Sequence, residues 1–317
     1  MNMGKIPLGI VDFCSYEKSL PALMELLGAA PVLGSQNRVV IKPNLVNSSP
    51  PPITTPVKLV AAIIEYVKSI SDAEIVVAEG CGIPLYNTDR PFRKLGYAEL
   101  AKSKEVVLVD LNHAELMELT DHRCRVFPQF MMPRLVMESF LISVPVLKKH
   151  SLAKVTLTMK NMLGCAPPDH YGGLVWKKSR FHKNMHRSIF EMNLYRTPDL
   201  TILDGSVGLA KYHLGGPKCN PPVGKLIGGC DPVAVDAYGA GLLGVDWNDV
   251  KHIALAHTVL VIRDVRSERA QTQLSCIYVL IQVYIPADGG FDCIHDDPCF
   301  QKVDCSDKVC FIHPFAV

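Results

Sequence analysis

Arg38-Val39-Val40-Ile41-Lys42-Pro43-Asn44-Leu45 is the stretch on which the fold turns. Its run of β-branched residues reads as a buried strand. Pro43 has no N–H to give to a ladder, so regular pairing stops there. Ser48 to Pro56 is rich in Ser, Thr and Pro and reads as a loop. Thr54-Thr55-Pro56 then opens a helix, with Thr55 as N-cap and Pro56 at the first helical position. Leu59, Ala62, Ile63, Tyr66 and Val67 continue it as an apolar stripe at helical spacing. Ala73 to Ala78 is a second strand, ending in Glu79-Gly80-Cys81-Gly82. Strand, helix and strand in this order make a βαβ unit, which implies a parallel pair.

Outward from this unit the pattern repeats. Pro91 to Ala101 reads as a helix and Glu105 to Asp110 as a strand. Leu135 to Leu147 brings a further strand, and Leu200 to Leu203 another that ends at Asp204-Gly205. Leu226 to Gly229 reads as a short strand and Pro232 to Leu243 as a helix, with Asp231 as N-cap before Pro232. The fold class expected is α/β, a largely parallel sheet with helices on both faces. The body spans 1–258. From 259 to 317 the character changes, and this stretch reads as a small cysteine-containing tail or appended module.

The chain has 317 residues, 48% of them hydrophobic, which is enough for a sizeable core. A formal net charge of +2 speaks against a general nucleic-acid or membrane-surface binder. The N-terminal Met-Asn-Met-Gly-Lys-Ile-Pro has no apolar run of signal-peptide length. No segment reaches the roughly 18 uninterrupted apolar residues of a membrane span. A cytoplasmic location is therefore expected. The eleven cysteines are mostly scattered singly, which suits reduced thiols.

The charge is unevenly placed. An apolar run from Phe140 to Leu147 empties into Lys148-Lys149-His150, and Lys160-Asn161 follows the next β-branched run. Between Lys148 and Arg187 Asp169 is the only acid. Cations at the ends of buried strands are costly without a partner. Ligands of open α/β sheets gather at the strands' carboxyl ends. The pattern therefore points to a small anionic ligand held by Lys42, Asn44, Lys148 and Asn161. In an extended segment Lys148 and His150 share one face and Lys149 points away. Neighbouring lysines favour a neutral imidazole at His150, which suits it to proton transfer, and Lys160 joins it as the second catalytic candidate. Asp204, at a strand end, and Asp236, inside a helix, are expected to orient these lysines or a metal, with Lys160 or Lys42 as the partner of Asp236. Each position also has a plainer reading, as cap, turn or solvated charge. Gly80-Cys81-Gly82 lacks the third glycine of a dinucleotide loop and any Gly-Lys-Ser/Thr, so no nucleotide site is supported.

Several motifs together resemble the family called domain of unknown function three-six-two, whose members often carry iron–sulfur annotations. The carrying residues are Ile41-Lys42-Pro43-Asn44-Leu45-Val46, Thr54-Thr55-Pro56, Ser143 through His150, and Met159-Lys160-Asn161-Met162-Leu163-Gly164-Cys165. Leu203-Asp204-Gly205-Ser206-Val207-Gly208, Gly216-Pro217 and Gly228 through Ala237 complete the set. The resemblance covers roughly residues 5–257. It implies redox work, hence an oxidoreductase, because many members carry a ferredoxin-like module with paired four-iron clusters. This chain departs from that pattern. Cys293, Cys299, Cys305 and Cys310 leave five, five and four residues between them, and no Cys-x-x-Cys occurs anywhere. These four cysteines are the weak candidates for a metal, zinc or an iron–sulfur cluster. Two other readings stay open. One is a non-catalytic subunit whose basic stretch, Lys177 to Arg187, docks a separate ferredoxin-like protein. The other is a metal-dependent hydrolase or isomerase using His150 and the aspartates.

Overall fold

The computed structural model describes residues 8–83, 87–172, 177–257 and 259, and beyond these only the backbone of 258, 260–266 and three short strands. The strands in chain order are β1 (Leu8–Asp12), β2 (Arg38–Pro43), β3 (Glu74–Glu79), β4 (Val107–Asp110), β5 (Leu116–Thr120), β6 (Gln129–Pro133), β7 (Phe140–Val144), β8 (Val146–His150), β9 (Lys154–Thr156), β10 (Leu200–Leu209), β11 (Lys225–Gly229) and β12 (Ile281–Tyr284), with β13 (Val303–Ser306) and β14 (Val309–Ile312) pairing as a separate hairpin. The helices are α1 (Tyr16–Leu26), α2 (Ala29–Gly34), α3 (Val57–Ile70), α4 (Asp89–Lys94), α5 (Tyr97–Lys104), α6 (Arg134–Met137), α7 (Thr158–Asn161), α8 (Pro168–Tyr171), α9 (Met185–Tyr195), α10 (Pro232–Leu242) and α11 (Lys251–Arg266).

Among the described residues one sheet dominates, in the order β12-β1-β11-β10-β7-β2-β3-β4. The run β10-β7-β2-β3-β4 is parallel throughout, and β11 is antiparallel to both its neighbours. The expected α/β class with a largely parallel sheet is therefore the observed one. Side chains alternate across it. Val39, Ile41, Ile75, Val77, Ile142 and Val144 pack on one face against α1, α2 and α3. Val40, Val76, Ala78 and Leu141 face the other side, against Phe130 and Met132 of β6, Phe181 just before α9 and Met192 of α9. Near β8 and β10, Leu147 and Leu203 meet α9, α10 and α11.

Local chemistry sets several boundaries differently from the sequence expectation. The helix expected over Pro91 to Ala101 is two helices, because Gly96 takes a left-handed φ of +81° between them. Glu105, also at positive φ, ends α5 and delays β4 to Val107. Asp204-Gly205 does not end a strand, since β10 runs on to Leu209. Thr55 is not an N-cap: α3 begins after Pro56, and no side chain caps it. Asp231 does cap α10, accepting from Val233 N and Ala234 N with Pro232 at the first position. Most of 259–317 lies outside the described residues.

Candidate functional site

From β2 the chain moves outward through α3 to β3 and β4, whereas β7, on the other side of β2, leads to β10. The connections thus diverge between β2 and β7, and the carboxyl ends of these two strands form the crevice where open α/β sheets place ligands. Lys42 ends β2 there and Glu79 ends β3 beside it. The strand leaving β7 breaks at Pro145, whose carbonyl accepts from Asp204 N at 2.9 Å, and resumes as β8. β8 pairs with β10 and carries Lys148 and His150 over the same edge. α7 then brings Asn161 down onto β2 and β7.

These residues form one connected polar chain. Lys42 Nζ donates to Glu79 Oε2 at 2.9 Å and to Asn161 Oδ1 at 3.3 Å. Asn44 Nδ2 donates to the same Asn161 oxygen at 3.1 Å. Asn44 Oδ1 accepts from Lys148 Nζ at 2.5 Å, and Lys148 also donates to Ile53 O at 2.7 Å. Asn161 Nδ2 donates to Lys42 O and Ser143 Oγ. Lys42, Glu79, Lys148 and Asn161 are all buried. A buried ion pair is retained only when its remaining donors and acceptors are satisfied. Here Glu79 also accepts from Leu45 N and Gly80 N. Thr55 Oγ1 accepts from Asn44 N and donates to Val144 O, which fixes the exit of β2 against β7.

Above this floor lies a positively charged rim. Lys148 is pushed down to about 7 by burial, then by the charge of Lys160. Lys160 is half-buried, its ammonium makes no hydrogen bond or ion pair among the described residues, and it is pushed down to about 8 by desolvation. Its charge is felt at His150, His182 and His213. The structure thus brings Lys42, Asn44, Lys148, Asn161, His150 and Lys160 to one edge. Lys148 and His150 are buried while Lys149 is half-exposed, as alternation in an extended segment requires.

His150 is not free to titrate. Its Nδ1 accepts from both Leu152 N and Ala153 N at 3.1 Å, so the ring proton belongs on Nε2. Its ring stacks on His213 at 3.9 Å. Burial, then the Lys160 charge, holds its basicity far below that of an ordinary histidine. Nitrogen-15 spectra of the imidazoles should show His150 as the neutral Nε2–H tautomer from about pH 5 to about pH 8, without a titration step.

Two expected members stand apart. Asp236 is paired with neither Lys160 nor Lys42. Its oxygens accept from Thr158 N at 2.8 Å and Met159 N at 3.0 Å, so it caps α7 from α10, and burial pushes it up to about 8. Its role is to seat the helix that carries Lys160 and Asn161. Asp204 accepts from Tyr16 Oη and Ser206 N and binds none of the lysines; burial raises its pKa. Glu79, His213 and Gly164 are the members that sequence reasoning missed. A Cβ on Gly164 would collide with Glu79 Oε1 and Lys42 Nζ, so only glycine lets this backbone cross the ion pair. Among the described residues no three His, Cys, Asp or Glu side chains group as a metal site, and the side chains of Cys293, Cys299, Cys305 and Cys310 lie outside them. No helix among the described residues is long and apolar enough to cross a membrane. A cleft of about 660 Å³ lies at the opposite, amino edge of the strands, where Arg38 is paired with Glu74 and Arg196 with Asp199.

Fold and site together define an α/β protein with a lysine, amide and histidine cluster at the switch point of a parallel sheet. The chain belongs to the family described as "Domain of unknown function (DUF362)", whose model matches residues 39–241, a span containing the whole cluster from Lys42 to Asp236. A thylakoid-associated protein of Synechocystis sp. is 25% identical over 236 residues, covering 72% of this chain and 70% of that protein. No solved structure matches the chain.

Proposed function

We propose that this chain binds a small oxyanion, a carboxylate or phosphate group, at the carboxyl edge of β2 and β7. One observation carries the reading. Lys148, Lys160, His150, His182 and His213 gather where, among the described residues, Glu79 is the one carboxylate that Lys148 feels, and both oxygens of Glu79 are already engaged. An uncompensated cluster of donors in a desolvated site is stabilised by a ligand of opposite charge. In this reading Lys42, Asn44 and Asn161 hold the floor rigid, and Lys148, Lys160 and His150 Nε2–H face the anion. A cytoplasmic location and an association with redox chemistry belong to the same proposal. The second is supported by family membership alone, and assay of iron and acid-labile sulfide in protein purified without oxygen tests it.

Sulfate keeps its charge across the useful pH range and is the probe of choice. Lys160→Ala should weaken sulfate binding by at least about thirtyfold, roughly 2 kcal/mol, with the circular dichroism spectrum and melting temperature retained. Both lysines carry charge below their depressed pKa values and lose it above them. Calorimetric affinity for sulfate should therefore be retained at about pH 6.5 and below and fall roughly tenfold or more by about pH 9. Binding that is unchanged in Lys160→Ala and flat with pH removes the site from consideration.

A further inference from the structure

We propose that Lys160 is a nucleophilic amine and that the anion it meets carries a carbonyl group, so that the site forms an imine with an anionic aldehyde or ketone. This inference rests on the oxyanion site proposed above and names its substrate class.

A lysine becomes a nucleophile when it is neutral, reachable and free of a carboxylate that would keep it charged. Lys42 fails these conditions, being fully buried and paired with Glu79. Lys148 fails them because two carbonyl oxygens, Asn44 Oδ1 and Ile53 O, hold its ammonium in place. Lys178 is nearly buried and spends itself on Gly164 O at 2.7 Å. Lys160 alone of this group is only half-buried and its side chain makes no hydrogen bond or ion pair to any described residue. Its position is nonetheless fixed, because Asp236 caps the first turn of its helix and Asn161, the next residue, is tied to Lys42 and Ser143.

The surroundings divide the work. Burial lowers the proton affinity of Lys160, and the charge of Lys160 adds to burial in lowering that of Lys148. Lys148 when protonated has one ammonium hydrogen beyond its two carbonyl partners, and His150 presents Nε2–H because its Nδ1 is occupied by two backbone donors. Both groups are donors, so they suit the ligand's carboxylate and its carbonyl oxygen. Lys160 Nζ then attacks the carbonyl carbon. A C–N bond forms, the amine's two protons pass to the former carbonyl oxygen, and that oxygen leaves as water, giving a neutral imine. No oxidant or reductant is needed.

Glyoxylate with cyanoborohydride, applied to the full chain near about pH 7.5, tests this. The reductant converts an imine into a stable alkylated lysine that peptide mass spectrometry locates. Lys160, pushed down to about 8, should be modified roughly tenfold or more faster than the exposed Lys58 and Lys102, and added sulfate should slow it. Lys160→Arg should abolish the fast site, because a guanidinium stays charged and forms no imine. Labelling at Lys160 no faster than at Lys58 overturns the nucleophile, whether or not sulfate binds. Failure of sulfate to bind overturns the oxyanion reading separately, and rapid labelling of Lys160 in that case still upholds the nucleophile.

Discussion

Glu79→Ala should cost about 3–5 kcal/mol of folding stability, the largest effect of any single truncation at this edge. The substitution leaves the Lys42 ammonium with no exposure to water and no counter-ion. It also orphans two backbone donors, Leu45 N and Gly80 N, which Glu79 alone satisfies. Chemical denaturation would show this as a lower midpoint at unchanged slope. The double variant Lys42→Met with Glu79→Gln should recover a good part of the loss, because a buried pair replaced on both sides costs less than one left half-broken. Equal losses for the single and double variants would mean that the ion pair is not the source.

Gly164→Ala is the second large effect, expected at about 2–4 kcal/mol. A glycine-to-alanine change is commonly neutral or stabilising where φ permits it. Here the added methyl meets the Glu79 carboxylate and the Lys42 ammonium together, and the nearest atoms belong to groups that cannot retreat without breaking their bond. The same backbone takes the Lys178 ammonium on its carbonyl. Since Gly164→Ala acts by prising the ion pair apart, its cost should fall well short of adding to that of Glu79→Ala in the double variant. Full additivity in a denaturation cycle would point to strain elsewhere.

Much of this was legible in the chain because strands and their ends are written locally. The β-branched runs before Lys42 and after Glu74 place two parallel strands, and both lysine-bearing segments follow apolar runs. Thr55 and Asp236 show where local reading stops. Thr55 has every mark of an N-cap, yet its hydroxyl is recruited by Val144 O of a strand 89 positions away. Asp236, an acid within an apolar helix, calls for a cation by the usual logic of buried charge. It is met instead by two backbone N–H groups of α7, and these leave no trace in side-chain sequence. Glu79 did leave a signal. A lysine closing one buried strand needs an acid, and the strand one βαβ unit later closes on a glutamate in parallel register. His150 is expected from its lysine neighbours to be neutral, but its tautomer depends on the turn at Leu152 and Ala153, and this makes its outward nitrogen a donor.

The polar chain from Glu79 through Lys42, Asn161 and Asn44 to Lys148 links parts of the polypeptide up to 119 positions apart. Neither half of the protein can build it unaided. A fragment ending before β7 keeps Glu79 and Lys42 but lacks the amide that joins them to the rim, and a fragment starting there has the rim without its footing. Completion of this edge is therefore a late event in folding, reached only after distant segments have met. Mixing two such fragments and following recovery of the buried lysine signals would time that event directly.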